Sequence, residues 1–266
     1  MGVAATSTPS VAARAPTVAR IRGIDIARAV AIVGMVMVHI GPFPAIGGGF
    51  VGDLYRIPHG RASILFVVVA GIGVSLLARG RSSTGLRSTA TRLGWRALIL
   101  LPLGLALQEL GTGVAVILQY YALFFLIAIV AARLSDRALL GVAAAMSVLG
   151  PLAVLLARRL QPEWFGPIPE WSAFGRIGRD LVISGTYPML VWIVPLFVGL
   201  WIGRQDLRSL VVPMRLLVGG ALLAAGAFGL RYWFEGVVGA ADSRTDWLQL
   251  AAIEPHNEMP LWVLSA

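Results

Sequence analysis

Seven apolar runs, at approximately 24–40, 61–78, 94–110, 114–132, 138–157, 181–203 and 213–231, leave this chain little choice of architecture. A helix needs roughly 17 residues or more to cross a hydrocarbon core. In lipid it is also the element that satisfies its own backbone within one segment. The expected fold class is therefore all-α, a polytopic transmembrane helical bundle of seven to eight helices. An eighth run begins near Pro260 and stops at Ala266, too soon to cross, so a C-terminal truncation is expected. The composition agrees: 58% hydrophobic, 13% charged, mean hydropathy +0.81. Residues 1–19 are mostly Ala, Ser, Thr, Pro and Val and read as a disordered tail, with 20–266 forming one membrane domain.

The basic residues decide orientation. There is no lysine, and the 22 basic residues are all arginine. With a cytoplasmic N-terminus, 13 arginines fall inside and 8 outside, and Arg28 lies within the membrane. The positive-inside rule favours that arrangement, in a multi-pass protein of the cell (cytoplasmic) membrane. The same rule accounts for the net charge of +9 without a nucleic-acid partner. With no cysteine, disulfides, thiolate nucleophiles and zinc–thiolate sites are excluded, and no metal site is expected.

The first span carries ionisable groups at depth: Asp25, Arg28 and His39. Eleven residues separate Arg28 from His39, roughly 16 Å along a helix, and both point to nearly the same side. Charges at such depth are functional candidates by default. Orientation then sorts the chemistry. His39, His59 and His256 fall at or beyond the outer face, where imidazole is the usual proton carrier near neutral pH. The basic 79–96 loop falls inside, where arginines clamp phosphates. The first outer loop delivers Asp53, Arg56, His59 and Arg61 to the mouth of the second span. Gln119 lies within the fourth, and SGTYPML opens the sixth with the hydroxyls of Thr186 and Tyr187. The long 158–180 segment reads as a lid or as an amphipathic surface strip.

Acyl transfer is one chemistry that groups of these kinds can serve. Transfer to an amine or hydroxyl needs a base for the nucleophile and donors for the developing oxyanion. His39 or His59 is the candidate base, oriented by Asp53 or an acid of the last loop. Arg61 or Tyr187 is the oxyanion donor, and an acetyl-imidazole intermediate is the covalent alternative. Arg28, Arg92 and Arg96 are placed to hold the phosphates of a coenzyme A donor. Gln119, Thr186 and His256 are the further candidates for the acceptor side.

A family resemblance supports this set. Ile24-Asp25-Ile26-Ala27-Arg28, with His39 at the matching spacing, resembles the first helix of the large bacterial O-acyltransferase superfamily. HGRASILFVVVAG (59–71), RLGWRALIL (92–100), VAVILQYYAL (114–123), SGTYPMLVWIVPLFVGLWIGR (184–204) and EPHNEMP (254–260) resemble, in that order, the bacterial relatives of heparan-alpha-glucosaminide N-acetyltransferase. The resemblance implies transfer of an acetyl or other acyl group from cytoplasmic acetyl-CoA to an extracytoplasmic sugar or glycolipid. It also implies a catalytic histidine in the first outer loop, here His59, and matches Gln119 to a family glutamine. Tyr120 stands where the family has an arginine. The expected partners are the lipid bilayer, acyl-CoA and the glycan or glycolipid, with a homo-oligomer left open. Two other readings stand beside it: a transporter or permease with an intramembrane Asp-Arg-His path, and a non-catalytic membrane protein.

Overall fold

The computed structural model describes residues 21–41, 49–50, 52, 55, 57–79, 83–111, 113–165, 174–239, 243–253 and 258–265. The 1–19 tail lies outside them. Among the described residues the chain is helical with no strand. The helices are α1 (Arg22–Ile40), α2 (Arg61–Ala78), α3 (Ser83–Gln108), α4 (Leu118–Ala131), α5 (Asp136–Leu160), α6 (Phe174–Arg179), α7 (Met189–Ile202), α8 (Val211–Val237) and α9 (Pro260–Ser265). Short 3-10 turns occupy Pro162–Phe165 and Trp247–Ala251.

Five of these helices are long and apolar enough to cross a membrane, and the bent pair Gly175–Ser184 and Met189–Ile202 makes a sixth. The spans expected at 24–40, 61–78 and 138–157 appear as α1, α2 and α5 with small shifts of their ends. The span expected at 213–231 is longer, Val211–Val237. The run expected at 114–132 is helical only over the 14 residues of α4. That is about 21 Å of rise, with residues 114–117 leading in as non-helical chain.

The run expected at 181–203 is broken. A π-helical turn, Asp180–Ser184, follows α6, with the Gly185 amide donating to the Asp180 carbonyl at 2.8 Å. Residues 185–188 are unwound, and α7 starts after Pro188, whose carbonyl accepts from Val191 and Trp192 at 3.0 Å each. Proline sets its own dihedral for a helix start and has no amide to leave unpaired. The two halves meet at 59°.

α7 is the centre of the bundle and packs on α2, α5 and α4. Its seam with α2 is backbone on backbone. A Cβ on Gly71 or Gly199 would strike the main chain of the facing helix, as one on Gly150 would where α5 meets α7. Close approach of this kind is how membrane helices gain dispersion energy, since lipid offers no hydrophobic drive between them. The core filling this region includes Val67, Phe124, Val154, Trp192, Leu196 and Leu200. Outside it, α3 pairs with α4, α1 lies chiefly on α2, and α8 lies on α9 and the 247–251 turn.

Alternation of the helices gives the bundle two ends. One gathers arginines at the start of α1 and the ends of α2 and α7. There Arg79 donates to the Gly203 and Gln205 carbonyls at 2.9 Å each, and Arg204 donates to Leu134 at 2.7 Å. These guanidiniums cap helix C-termini, where unpaired carbonyls and the helix dipole favour cations. The other end holds His59, the broken span and α9.

Candidate functional site

His59 sits in the turn that feeds α2, and its Nδ1 is shielded from solvent. Tyr55 holds that turn: its hydroxyl donates to the Met37 carbonyl at 2.6 Å, and its ring lies 6.0 Å from the imidazole. Gly60 follows with φ +74°, and a Cβ there would meet the Trp262 ring at 2.8 Å. The position therefore requires glycine twice over, for conformation and for space. Trp262, from α9, packs 5.7 Å from Trp192 of α7, and Trp192 packs edge-on to Tyr187 at 4.9 Å.

Tyr187 comes from the unwound 185–188 segment and is 2% exposed. Its hydroxyl shares a hydrogen bond with Ser63, on the first turn of α2 just past His59. Tyr120 of α4 packs edge-on to Tyr187 at 5.5 Å, and its oxygen accepts from the Thr186 amide at 3.0 Å. Gly185 leaves room for that oxygen. Asp180 in the π turn accepts from Ser184 Oγ at 2.6 Å and pairs with Arg179 at 3.3 Å, within electrostatic reach of Tyr120. Irregular backbone of this kind is tolerated at membrane depth where it is buried in protein or lines a cavity. π turns recur at functional sites.

A cleft of ≈ 600 Å³ between α1, α2, α3 and the start of α4 is lined by Arg28, Phe66, Arg96, Ile117, Tyr121 and Phe125, among others. Arg28 is half-exposed and 3.6 Å from Asp25. Arg96 is exposed on α3, about three and a half turns from its start. Tyr121 is buried, and its hydroxyl has no hydrogen-bond partner among the described residues. Its electrostatic neighbour is the Tyr187 hydroxyl. Tyr121 lines the cleft and lies within electrostatic reach of Tyr187, the hydrogen-bond partner of Ser63. An acyl-CoA fits the donor set: guanidiniums match phosphates, an apolar wall suits a flexible chain, and an orphaned phenol hydroxyl suits an amide or thioester carbonyl.

Of the expected site residues, Arg28 and Arg96 line one cleft, and Tyr187 bonds to Ser63 of α2, one turn past His59. Thr186 lies beside Tyr187 and contributes its amide to Tyr120. Arg92 is exposed on α3, one turn before Arg96 and outside the cleft lining. Arg61 folds back, with Nη1 3.5 Å from the Ile57 carbonyl. Gln119 turns toward α3, where Nε2 lies 3.5 Å from Gln108 Oε1 and Gly104 makes room for it. His39 is exposed on α1, well round the helix from the buried Ala31 and Gly34. Asp53 and His256 lie outside the described residues.

Sequence alone singles out none of Ser63, Tyr121 and Asp180 as a site residue, and marks Tyr120 only as standing where the family has an arginine. A carboxylate at the edge of an apolar run was a usable signal for Asp180. Nothing in the local pattern distinguished Ser63. Among the described residues, no group of three or more His, Asp or Glu is placed to hold a metal.

The family model described as heparan-alpha-glucosaminide N-acetyltransferase, catalytic, matches residues 20–223. No curated protein and no solved structure matches the chain.

Proposed function

The chain belongs to the heparan-alpha-glucosaminide N-acetyltransferase catalytic family, and from that premise we propose how its two ends share one reaction. The family supports a multi-pass membrane acetyltransferase. Our reading is that the donor is acetyl-CoA, taken from the cytoplasm across the cell membrane, and that the acceptor is an extracytoplasmic sugar or glycolipid. Arg28 and Arg96 hold the donor phosphates at the mouth of the cleft, with Arg92 one turn away. The pantetheine arm runs along the apolar wall toward Tyr121. His59 removes the proton from the acceptor amine or hydroxyl, and Tyr187, whose oxygen accepts from Ser63, donates to the oxyanion that forms at the acyl carbon. The carbon–sulfur bond then breaks and the CoA thiolate leaves, taking up a proton. An acetyl-imidazole on His59 remains the covalent alternative.

The observation that carries this reading is the place of Tyr121, which lines the cleft with Arg28 and Arg96 and lies within electrostatic reach of Tyr187, the partner of Ser63 one turn past His59. The test is label transfer from acetyl-CoA in proteoliposomes. His59→Ala is expected to lose about 10²-fold or more of the rate while keeping its melting temperature. His39→Ala is expected to keep the rate. If the two variants exchange those results, His39 is the base. If both remain fully active, the histidine mechanism is wrong.

The broken span also suits a permease, since transporters build sites from discontinuous helices. Solute flux without CoA in the same proteoliposomes would favour that reading.

A further inference from the structure

We propose that a second pocket, at the arginine end between the α4–α5 turn and the ends of α2 and α7, binds a phosphate group. It measures ≈ 630 Å³ and is lined by Ser75, Arg79, Arg133, Ser135, Asp136 and Arg204, among others. Three guanidiniums face one carboxylate, a surplus of two positive charges. That surplus matches a phosphate, which carries one to two negative charges near neutral pH.

Two of the guanidiniums are already fixed. Arg204 donates to the Leu134 carbonyl at 2.7 Å, to Asp136 Oδ1 at 2.8 Å and to the Ala132 carbonyl at 3.2 Å, and its side chain is 14% exposed. Arg79 places Nε and Nη2 on the Gly203 carbonyl, and Nη2 also on that of Gln205. A ligand reaching them has little side-chain ordering left to impose, which is where preorganisation raises affinity. Among the described residues, Nη1 of Arg79 and the guanidinium of Arg133 have no hydrogen-bond or ion-pair partner. Both are donors left over once the helix ends are capped. The first turn of the 25-residue α5 opens onto the same pocket, with Ser135 as its N-cap, and adds the positive end of a helix dipole.

The pocket is not the donor cleft. On α2, Val74 and Leu77 line the cleft, whereas Ser75 and Ala78 line the pocket. At 100° per residue these pairs face different sides, so α2 stands between the two sites. The proposal therefore does not rest on the acyl-transfer reading. The phosphate has two sources: an anionic lipid headgroup, since the pocket lies at the ends of the spans, or a phosphorylated solute.

The experiment uses the full chain with Arg133→Gln and Arg79→Gln. Arg137→Gln is the control: it makes the same charge change on an exposed residue outside the pocket lining. Native mass spectrometry counts bound phosphatidylglycerol against phosphatidylcholine. Thermal unfolding with added inorganic pyrophosphate reads the soluble arm. Loss of a charge-assisted fork is expected to weaken binding about tenfold or more in one arm for Arg133→Gln, and in the same direction for Arg79→Gln, with Arg137→Gln unchanged. A loss confined to the lipid arm assigns the phosphate to a headgroup, and a loss in the pyrophosphate arm assigns it to a solute. The proposal is overturned if neither arm separates Arg133→Gln from the unaltered chain. It is equally overturned if Arg137→Gln loses as much, because the effect is then diffuse surface charge.

Discussion

Glu258 lets the tie between the last segment and the bundle be tested by pH. Its carboxylate is 5% exposed and lies 2.5 Å from Nη2 of Arg158, near the end of α5. The Arg158 guanidinium also lies over the Phe165 ring at 5.4 Å. Burial pushes the Glu258 carboxyl up to about 8, against the pull of Arg158 and, more weakly, Arg244. The folded-state value thus lies above that of an unfolded glutamate. Between about pH 5 and 8 the folded chain holds a proton that the unfolded chain has released, so this group's contribution is greatest at low pH and declines as pH rises.

At pH 5.5, Glu258→Ala removes a hydrogen bond to a buried cation, a loss of about 1.5–3 kcal/mol. For a chain of this size that is roughly 5–10 °C in melting temperature. By about pH 8.5 the difference should vanish or reverse, because linkage over about 2.5 pH units is worth about 3 kcal/mol. Glu258→Gln keeps an acceptor and cannot ionise, so it should match the unaltered protein at pH 5.5 and exceed it at 8.5. The assay is thermal unfolding in a neutral detergent, followed by tryptophan fluorescence. An ordinary buried ion pair behaves in the opposite sense, costing about 3–5 kcal/mol to break at neutral pH and less as pH falls. A penalty for Glu258→Ala that grows with pH would refute the reasoning.

Four other substitutions test the site. Gly60→Ala places a methyl 2.8 Å from the Trp262 ring at φ +74°, and should cost about 1–3 kcal/mol and alter tryptophan emission. Tyr187→Phe removes one oxyanion donor and should lower kcat about 10²-fold with little change in the KM for acetyl-CoA; an unchanged kcat would remove Tyr187 from the mechanism. Arg28→Ala and Arg96→Ala should raise that KM and leave kcat nearly intact, measured as CoA thiol release, because uniform binding is what they supply.

Much of the fold was legible because long apolar runs have few structural solutions in lipid. The runs that became α1, α2 and α5 needed no tertiary information. The broken span did not yield as readily. Gly185 and Pro188 announced a loosened turn, but the unwound Thr186 amide is met by the Tyr120 hydroxyl, and Tyr120 is more than sixty positions earlier in the chain. The shortness of α4 was hidden for a related reason: residues 114–117 are apolar enough to continue a helix, yet Val116 donates to the Gln108 side chain instead. In the site, Tyr187 was readable as a hydroxyl at the histidine end. Its partner Ser63 was not, because a serine one turn into an apolar helix carries no distinguishing pattern. Gln119 shows how a buried amide is ambiguous from sequence. It faces Gln108 and joins α3 to α4, which is what interhelical glue requires.

The missing methyl groups at Gly71, Gly150 and Gly199 turn three helices into something like one solid post. No lubricating layer of side chains lies between their main chains at those crossings, so sliding one past another would meet atom against atom. Breathing of the assembly then falls to pieces moored on fewer lines, α1 against α2 and α8 against α9. The donor cleft has Arg28 of α1 as one wall and the post's own α2 as another. Its width is thus governed by a swinging outer stave rather than by the timber at the centre.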